Sequence, residues 1–249
     1  MSTNDKITVI MPCAGKGTRL GLPFPKEMLP LDHNLALIDL SFKNILPYKD
    51  RIDKVIIIIA PEKHVLLTHL CKWAKDFTIA IMYFNTSYFE WPGSILSASP
   101  LFGEYNFVLL PDSDMRVKQD SPLVPSMLRL LKRHGVAFGF VKETTEQRLA
   151  HVGAMNVVLH NDSDNSKDFV VKEFCDKPLA SFNKYNSFWG TFGFTKSYGD
   201  SILKLFMKSV KKEDVSLQDV LGDKMAGAFE LESYDDLGTW INLRQRRQF

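Results

Sequence analysis

One segment near the amino terminus constrains the chain most. Residues 7–11 (ITVIM) form an apolar, β-branched run typical of a buried strand, and a loop with two glycines follows at 12–20. Glycine has no Cβ, so backbone N–H groups in such a loop can approach phosphate oxygens closely. Arg19 and Lys26 then add a planar fork of donors and a point charge. Together these features predict a site for a triphosphate.

Two common glycine-loop motifs do not fit this spacing. A dinucleotide fingerprint requires G-x-G-x-x-G, but Leu20 stands where the third glycine should be, and Gly21 comes one position late. A P-loop requires a lysine directly after its last glycine, whereas Lys16 precedes Gly17. The loop therefore belongs to neither class.

Strands and helices alternate along the first half of the chain. Apolar runs predict strands at 55–59, 79–84 and 107–110, and amphipathic patterns predict helices at 35–46, 61–73 and 94–101. Such alternation is typical of βαβ units. We therefore expect an α/β fold with a Rossmann-like, doubly wound sheet, mixed but mostly parallel, whose ligands gather at the carboxyl ends of the strands.

The pattern changes in the second half. A predicted helix at 121–134 and a predicted strand at 136–141 continue the alternation. The apolar runs at 152–159 and 169–171 then flank a polar linker, and this pattern predicts a hairpin in a smaller β lobe. Helices at 197–210 and 217–225 and a strand at 228–231 follow. We expect a single domain over 1–249, made of the halves 1–142 and 143–249.

A carboxylate follows one of the predicted strands. The run at 107–110 leads into Pro111 and Asp112, and the carboxyl end of a strand opposite a phosphate loop is where a divalent metal would be held. Asp114 makes the local pattern D-x-D. On its own, this segment also fits ordinary turn chemistry.

Several motifs together resemble one family. Residues 14–19 (AGKGTR) and 25–30 (PKEMLP) are similar to the signature of the sugar-phosphate nucleotidyltransferases, or nucleoside-diphosphate-sugar pyrophosphorylases. Residues 176–178 (DKP), 188–194 and 234–239 (YDDLGT) resemble later family motifs in the same order. The resemblance implies that a nucleoside triphosphate and a sugar 1-phosphate give a nucleoside-diphosphate sugar and pyrophosphate.

The resemblance also implies roles for individual residues. Arg19, Lys26, Asp112 and Asp236 would be catalytic, and Asp112 and Asp236 would bind Mg²⁺. The nucleotide would be bound by Ala14, Gly15, Lys16, Gly17, Thr18 and Gly93. The sugar phosphate would be bound in the β lobe by Asp176, Lys177 and Gly190.

Departures from the family pattern leave alternatives open. No Gln stands in the segment 85–94, where the family recognises the base, so the identity of the nucleotide stays open. The aromatic residues of this segment, Tyr88, Phe89 and Trp91, fit either contact with the base or plain packing. Asp176 replaces the usual Glu and is one methylene shorter. Because Arg19 and Lys26 are also unusually close in sequence, a cytidylyltransferase acting on an alcohol phosphate remains an alternative. A non-catalytic sugar-nucleotide-binding relative is the other.

Composition excludes further classes. The 31 Lys and Arg against 29 Asp and Glu give a net charge of +2, which favours neither nucleic acid nor a membrane surface as a partner. The three cysteines form no metal or disulfide pattern, and the first residues do not read as a signal peptide. We expect a cytoplasmic protein without a membrane span, and the sequence leaves a homo-oligomer open.

Overall fold

The computed structural model describes residues 5–32, 34–84, 91–161, 167–211, 213 and 215–246. Within these residues the strands are β1 (Ile7–Pro12), β2 (Pro30–Asp32), β3 (Leu35–Ala36), β4 (Ile52–Ile59), β5 (Ile79–Tyr83), β6 (Tyr105–Val108), β7 (Ser113–Val117), β8 (Val136–Lys142), β9 (Gly153–Asn161), β10 (Lys167–Asp176), β11 (Ser187–Thr195) and β12 (Ala226–Asp236). The α-helices are α1 (Leu37–Ile45), α2 (Leu66–Leu70), α3 (Trp91–Ser97), α4 (Leu123–His134), α5 (Glu146–Leu149), α6 (Lys196–Val210), α7 (Gln218–Leu221) and α8 (Trp240–Arg246).

One large sheet organises the chain, in the order β5-β4-β1-β6-β11-β8-β12-β10-β9, with β7 paired to β12. The first-half strands β5, β4, β1 and β6 are parallel, and so are β8 and β12. The expected mixed α/β fold is confirmed. The other pairings of this sheet are antiparallel, because β11 inserts between β6 and β8 and because β9 and β10 form the predicted hairpin. The hairpin is part of the main sheet, since β9 pairs back to β11.

Helices cover both faces of the sheet, as in a doubly wound fold. Ile38 of α1, Leu66 of α2 and Leu123 of α4 are buried in the core on one face. Ile95 of α3 and Phe206 of α6 are buried in the core on the other. In the described ranges, no helix has both the length and the apolar composition needed to cross a membrane.

Two strands differ from the sequence prediction in a way that matters for the site. The predicted strand at 228–231 is the middle of β12, which continues to Asp236, and β7 was not predicted at all. The two strands pair antiparallel, with Asp236 opposite Ser113. This pairing carries Asp236 to the segment that holds Asp112.

Two predicted helices are shorter than expected. The pattern at 61–73 divides into a 3₁₀ turn at Pro61–Lys63 and the short helix α2. The pattern at 217–225 gives only α7, because Gly222 adopts a left-handed φ of 60° directly after it. Apolar spacing alone did not show where these helices end.

A buried carboxylate fixes the start of α1. Asp39 is 1% exposed and accepts hydrogen bonds from the Ala36 amide (2.7 Å), Trp73 Nε1 (2.7 Å) and Lys72 Nζ, with His69 Nε2 at 3.0 Å. Burial alone would raise the pKa of Asp39, but these hydrogen bonds outweigh it and hold the pKa well below its usual range. The carboxylate therefore ties α1 to the region after α2.

We expect the variant Asp39→Asn to lose at least about 2 kcal/mol of unfolding free energy at pH 7, because it removes the charge that four donors surround. The folded pKa lies below the unfolded value of about 4, so this stabilisation is present above that pH and is lost as the pH falls. Urea unfolding of wild type and variant at pH 7 and pH 3 should show the difference shrinking at pH 3. The control Asp53→Asn, which breaks an exposed pair with Lys54, should change stability by less than about 0.5 kcal/mol.

Candidate active site

Four charged side chains meet beside the glycine loop. Lys26 Nζ donates a hydrogen bond to Asp112 Oδ2, and Arg19 Nη1 lies 3.5 Å from Asp236 Oδ2. The first pair is largely buried, with side chains 15% and 12% exposed, whereas the second is open to solvent at 60% and 41%. All four residues predicted to be catalytic are thus brought together from distant parts of the chain.

Gly238 keeps the centre of this cluster open. A Cβ on Gly238 would lie 2.8 Å from Arg19 Nη2, 2.8 Å from Asp236 Oδ1 and 2.9 Å from Asp112 Oδ2. The Gly238 amide donates a 2.7 Å hydrogen bond to Asp236 Oδ1, and the Leu237 amide donates one of 2.7 Å to the Asp112 carbonyl. The backbone of this turn therefore orients the Asp236 carboxylate and holds the main chain of Asp112 beside it, and both carboxylates border the space that a side chain on residue 238 would fill.

Helix α8 attaches this turn to the loop. Trp240 Nε1 donates a 3.0 Å hydrogen bond to the Leu20 carbonyl, and Asn242 Nδ2 donates one of 2.5 Å to the carbonyl of Asp236. The loop that contains Arg19 and the strand end that contains Asp236 are thus joined on a second side.

The glycine loop presents free donors to solvent. Gly15, Lys16 and Thr18 are exposed, whereas Ala14 is buried at 2%. Within the described ranges, no hydrogen bond uses the amides of Gly15, Lys16 or Gly17. Gly17 has a φ of 67°, and a Cβ there would lie 3.5 Å from the Lys26 side chain. Open amides over a lysine form an anion-binding arrangement.

The electrostatics of the cluster determine the charge states of Lys26 and Tyr234. Burial alone would lower the pKa of Lys26, but the charge and hydrogen bond of Asp112 outweigh it, and the pKa is raised. Burial, with the charges of Asp112 and Asp236, raises the pKa of Tyr234 well above its usual value. Lys26 therefore stays a cation and Tyr234 a neutral phenol at neutral pH.

The donor set fits a magnesium ion. Asp112 and Asp236 supply hard carboxylate oxygens that converge on one point, and Mg²⁺ is usually held by one or two carboxylates, with phosphate oxygens and water completing its shell. The described residues contain no group of three or more His, Cys, Asp or Glu that could hold a metal. The shell of an Mg²⁺ ion held by these two carboxylates would be completed by phosphate oxygens and water.

Two of the residues predicted to bind the sugar phosphate, Asp176 and Lys177, line a separate cavity. Asp176 ends β10 opposite Gly153 of β9, and the Lys177 amide donates a 2.9 Å hydrogen bond to the Val152 carbonyl. Both line a cavity of about 500 Å³ that also includes Lys172. None of the four clustered charged residues lines that cavity.

Contacts connect this region with the cluster. Trp189 covers Gly153 so closely that a Cβ there would lie 1.8 Å from its Nε1. The next residue, Gly190, is covered by the ring of Tyr234, 2.5 Å from where its Cβ would be. Gly190 therefore faces Tyr234 on its Cβ side, and its predicted contact with the sugar phosphate stays a prediction.

The predicted base-recognition segment is described only in part. Tyr88 and Phe89 lie outside the described residues. Trp91 begins α3 and packs against Trp189, with ring centroids 5.6 Å apart, and Gly93 is buried in the same helix. Trp91 therefore has a packing role, while the predicted nucleotide contact of Gly93 stays a prediction.

Sequence reasoning missed three residues around the site. Lys63, in the turn after β4, is buried and bonded to Glu27, the neighbour of Lys26. Arg148 of α5 lies over the ring of Phe188, 5.4 Å from its centroid, and that ring packs edge-on against Tyr234, with centroids 6.1 Å apart. Glu27 carried a weak sequence signal, because it belongs to the PKEMLP motif, but nothing in the sequence indicated Lys63 or its contact with Glu27.

Comparison with known protein families places the chain in one of them. The model of the nucleotidyl transferase family matches residues 7–249. The chain belongs to that family. A search of curated protein sequences finds no match.

Solved structures of similar fold agree with the family. A UDP-glucose pyrophosphorylase complexed with UDP-glucose is 18% identical, with a TM-score of 0.74 over 98% of this chain and 97% of that one. A UTP-bound UGPase from Acinetobacter baumannii is 16% identical, with a TM-score of 0.70 over 96% and 91%. An inositol-1-phosphate CTP transferase from T. maritima is 15% identical, with a TM-score of 0.65 over 96% and 92%. At these identities the likeness establishes a shared fold.

We expect Arg19→Ala and Lys26→Ala each to lower nucleotidyl transfer by at least about a hundredfold, because each removes a charge-assisted contact to phosphate of about 3 kcal/mol in the transition state. Steady-state rates on variants shown to be folded by circular dichroism test this. The control Lys49→Ala, which breaks a surface pair with Asp76, should keep the wild-type rate. A near-normal rate in either site variant would contradict the assignment.

Proposed function

We propose that the protein joins a nucleoside triphosphate to a sugar 1-phosphate, giving a nucleoside-diphosphate sugar and pyrophosphate. The observation that carries the proposal is the convergence of Arg19, Lys26, Asp112 and Asp236 beside exposed loop amides. The similar folds of pyrophosphorylases that act on UDP-glucose support the sugar phosphate as the second substrate.

The reaction requires positioning more than covalent chemistry. An oxygen of the sugar phosphate attacks the α-phosphorus, the bond to the β-phosphate oxygen breaks, and pyrophosphate leaves with the bonding electrons. In the proposal, Arg19 and the amides of 15–18 bind the leaving pyrophosphate, whose charge grows as the bond breaks. Lys26 leaves Asp112 and bridges the phosphates of the nucleotide.

The carboxylates have a separate role in the proposal. Once Lys26 and Arg19 turn to phosphate, Asp112 and Asp236 are free to bind Mg²⁺ together with substrate oxygens. Bound there, the ion would draw negative charge from the α-phosphate. Tyr234 stays protonated beside both carboxylates and adds no third negative charge.

In this proposal, each half of the chain binds one of the two substrates. The half 1–142 supplies the loop, Lys26, Asp112 and, through Gly93, the nucleotide side. The half 143–249 supplies Asp236 and, through Asp176, Lys177 and Gly190, the sugar-phosphate side. The contacts of Asp176 with Gly153, of Gly153 with Trp189 and of Gly190 with Tyr234 connect the two sides of the site in this proposal.

One observation favours a second candidate. Arg19 and Lys26 are only seven positions apart, which is unusually close for the sugar-1-phosphate enzymes that the chain resembles, and an inositol-1-phosphate CTP transferase shares the fold over 96% of this chain. In this alternative, CTP is joined to the phosphate of an alcohol by the same displacement. The charged cluster would serve both reactions equally.

A screen for pyrophosphate release decides between these functions. The four ribonucleoside triphosphates and dTTP are each paired with hexose 1-phosphates, inositol 1-phosphate and phosphocholine, with Mg²⁺ present. Release that requires both a nucleotide and a sugar 1-phosphate supports the proposal. Release with CTP and an alcohol phosphate alone supports the second candidate, and nucleotide binding without release in any pair indicates a non-catalytic protein.

We expect strict dependence on a divalent metal, with Asp112→Asn and Asp236→Asn each lowering Mg²⁺-supported activity by at least about a hundredfold. The double variant should be little worse than the poorer single one, because the two carboxylates act as a unit. Magnesium titrations of pyrophosphate release measure this, with the exposed neighbour variant Asp235→Asn as control. Full activity in excess chelator would refute the metal role.

A further inference from the structure

A buried ion pair lies directly beneath the glycine loop. Lys63 Nζ donates hydrogen bonds of 2.9 Å to both carboxylate oxygens of Glu27 and one of 2.7 Å to the carbonyl of Cys13. Glu27 is 0% exposed and Lys63 is 5% exposed. One ammonium group therefore links three separate segments of the chain.

Two of those three segments supply the residues of the proposed phosphate site. Cys13 directly precedes the loop residues 14–18, Glu27 adjoins Lys26, and Lys63 follows the end of β4. The Cys13 amide also donates a 2.7 Å hydrogen bond to the carbonyl of Ile58 in β4. The ion pair thus ties the residue before the loop to the turn that carries Lys26.

Fold stability alone does not account for this arrangement. Removing two charges from water costs several kcal/mol, and well-packed apolar residues in their place are often as stabilising or more so. Burial raises the pKa of Glu27, and the charges of Lys63 and Lys26 oppose that rise. The carboxylate therefore depends on both lysines to stay charged.

We propose that Lys63 and Glu27 are positioning residues, which hold the loop and Lys26 at the spacing that the triphosphate needs. The inference rests on the proposed function, because it assigns the pair to the phosphate side of that reaction. Neither residue needs to touch the substrate. A misplacement of about 1 Å in such a site can lower a rate by about a hundredfold.

The test compares variants that separate positioning from stability. Lys63→Met leaves Glu27 buried without its partner, whereas the double variant Glu27→Met with Lys63→Met removes both charges and is expected to regain most of the melting temperature. Lys63→Arg keeps the charge and several donors. The matched control is Asp168→Asn, which changes a carboxylate of 5% exposure that Arg133 binds at 3.1 Å.

We expect Lys63→Met and the double variant to lower kcat at least about thirtyfold and to raise the KM for the nucleoside triphosphate, with little change in the KM for the sugar phosphate. Lys63→Arg should recover part of kcat. Asp168→Asn should lose melting temperature and keep its kinetic constants. If the pair had a purely structural role, Lys63→Met and the double variant would keep their kinetic constants as well.

A double variant with wild-type kcat, or equal rises in both KM values, overturns the positioning role. Calorimetric binding of pyrophosphate repeats the comparison without turnover: weaker binding in Lys63→Arg and the double variant supports the role, and unchanged binding overturns it. Failure of the proposed function would look different, because the wild-type protein itself would then release no pyrophosphate. Where Lys63→Met does not fold, the double variant and Lys63→Arg decide the result.

Discussion

The antiparallel pairing of β7 with β12 is the constraint on which the rest of the site depends. It places Asp236 opposite Ser113 and so beside Asp112, although more than a hundred residues separate the two carboxylates. Two negative charges at such close range are costly unless cations balance them. Lys26 and Arg19 supply that balance, one to each carboxylate. Because each carboxylate is paired with one cation, the charged cluster stays assembled, and both cations remain available to bind a phosphate.

The parallel strands explain why the loop stands at the same place. β1 and β6 run side by side in the same direction, so the glycine loop after β1 and Asp112 after β6 leave the sheet at one edge. Helix α8 then links the loop to the end of β12 through the hydrogen bond from Trp240 to the Leu20 carbonyl. The fold thus holds the loop from below by Lys63 and from the side by α8.

Sequence reasoning recovered the parts of this picture that local patterns encode. The buried run of β1, the glycine spacing and the carboxylate after β6 all follow from neighbouring residues, and the resemblance to a family supplied Asp236. It did not recover β7 or the full length of β12, because Ser113–Val117 contains only two apolar residues, a pattern too short to predict a strand, and its strand form depends on pairing with β12. It also missed the contact of Lys63 with Glu27, since a buried lysine in a turn looks like a solvated one until its partners are known.

The central claim is that the two ion pairs exchange partners when the substrates bind. A crystal structure with Mg²⁺ and a nucleoside triphosphate whose α–β bridging oxygen is replaced by carbon tests it most directly. The account predicts phosphate oxygens on Lys26, Arg19 and the loop amides, with Asp112 and Asp236 both ligating the metal. A nucleotide bound elsewhere, or a complex in which Lys26 still bonds to Asp112 and the metal is absent from both carboxylates, would contradict it.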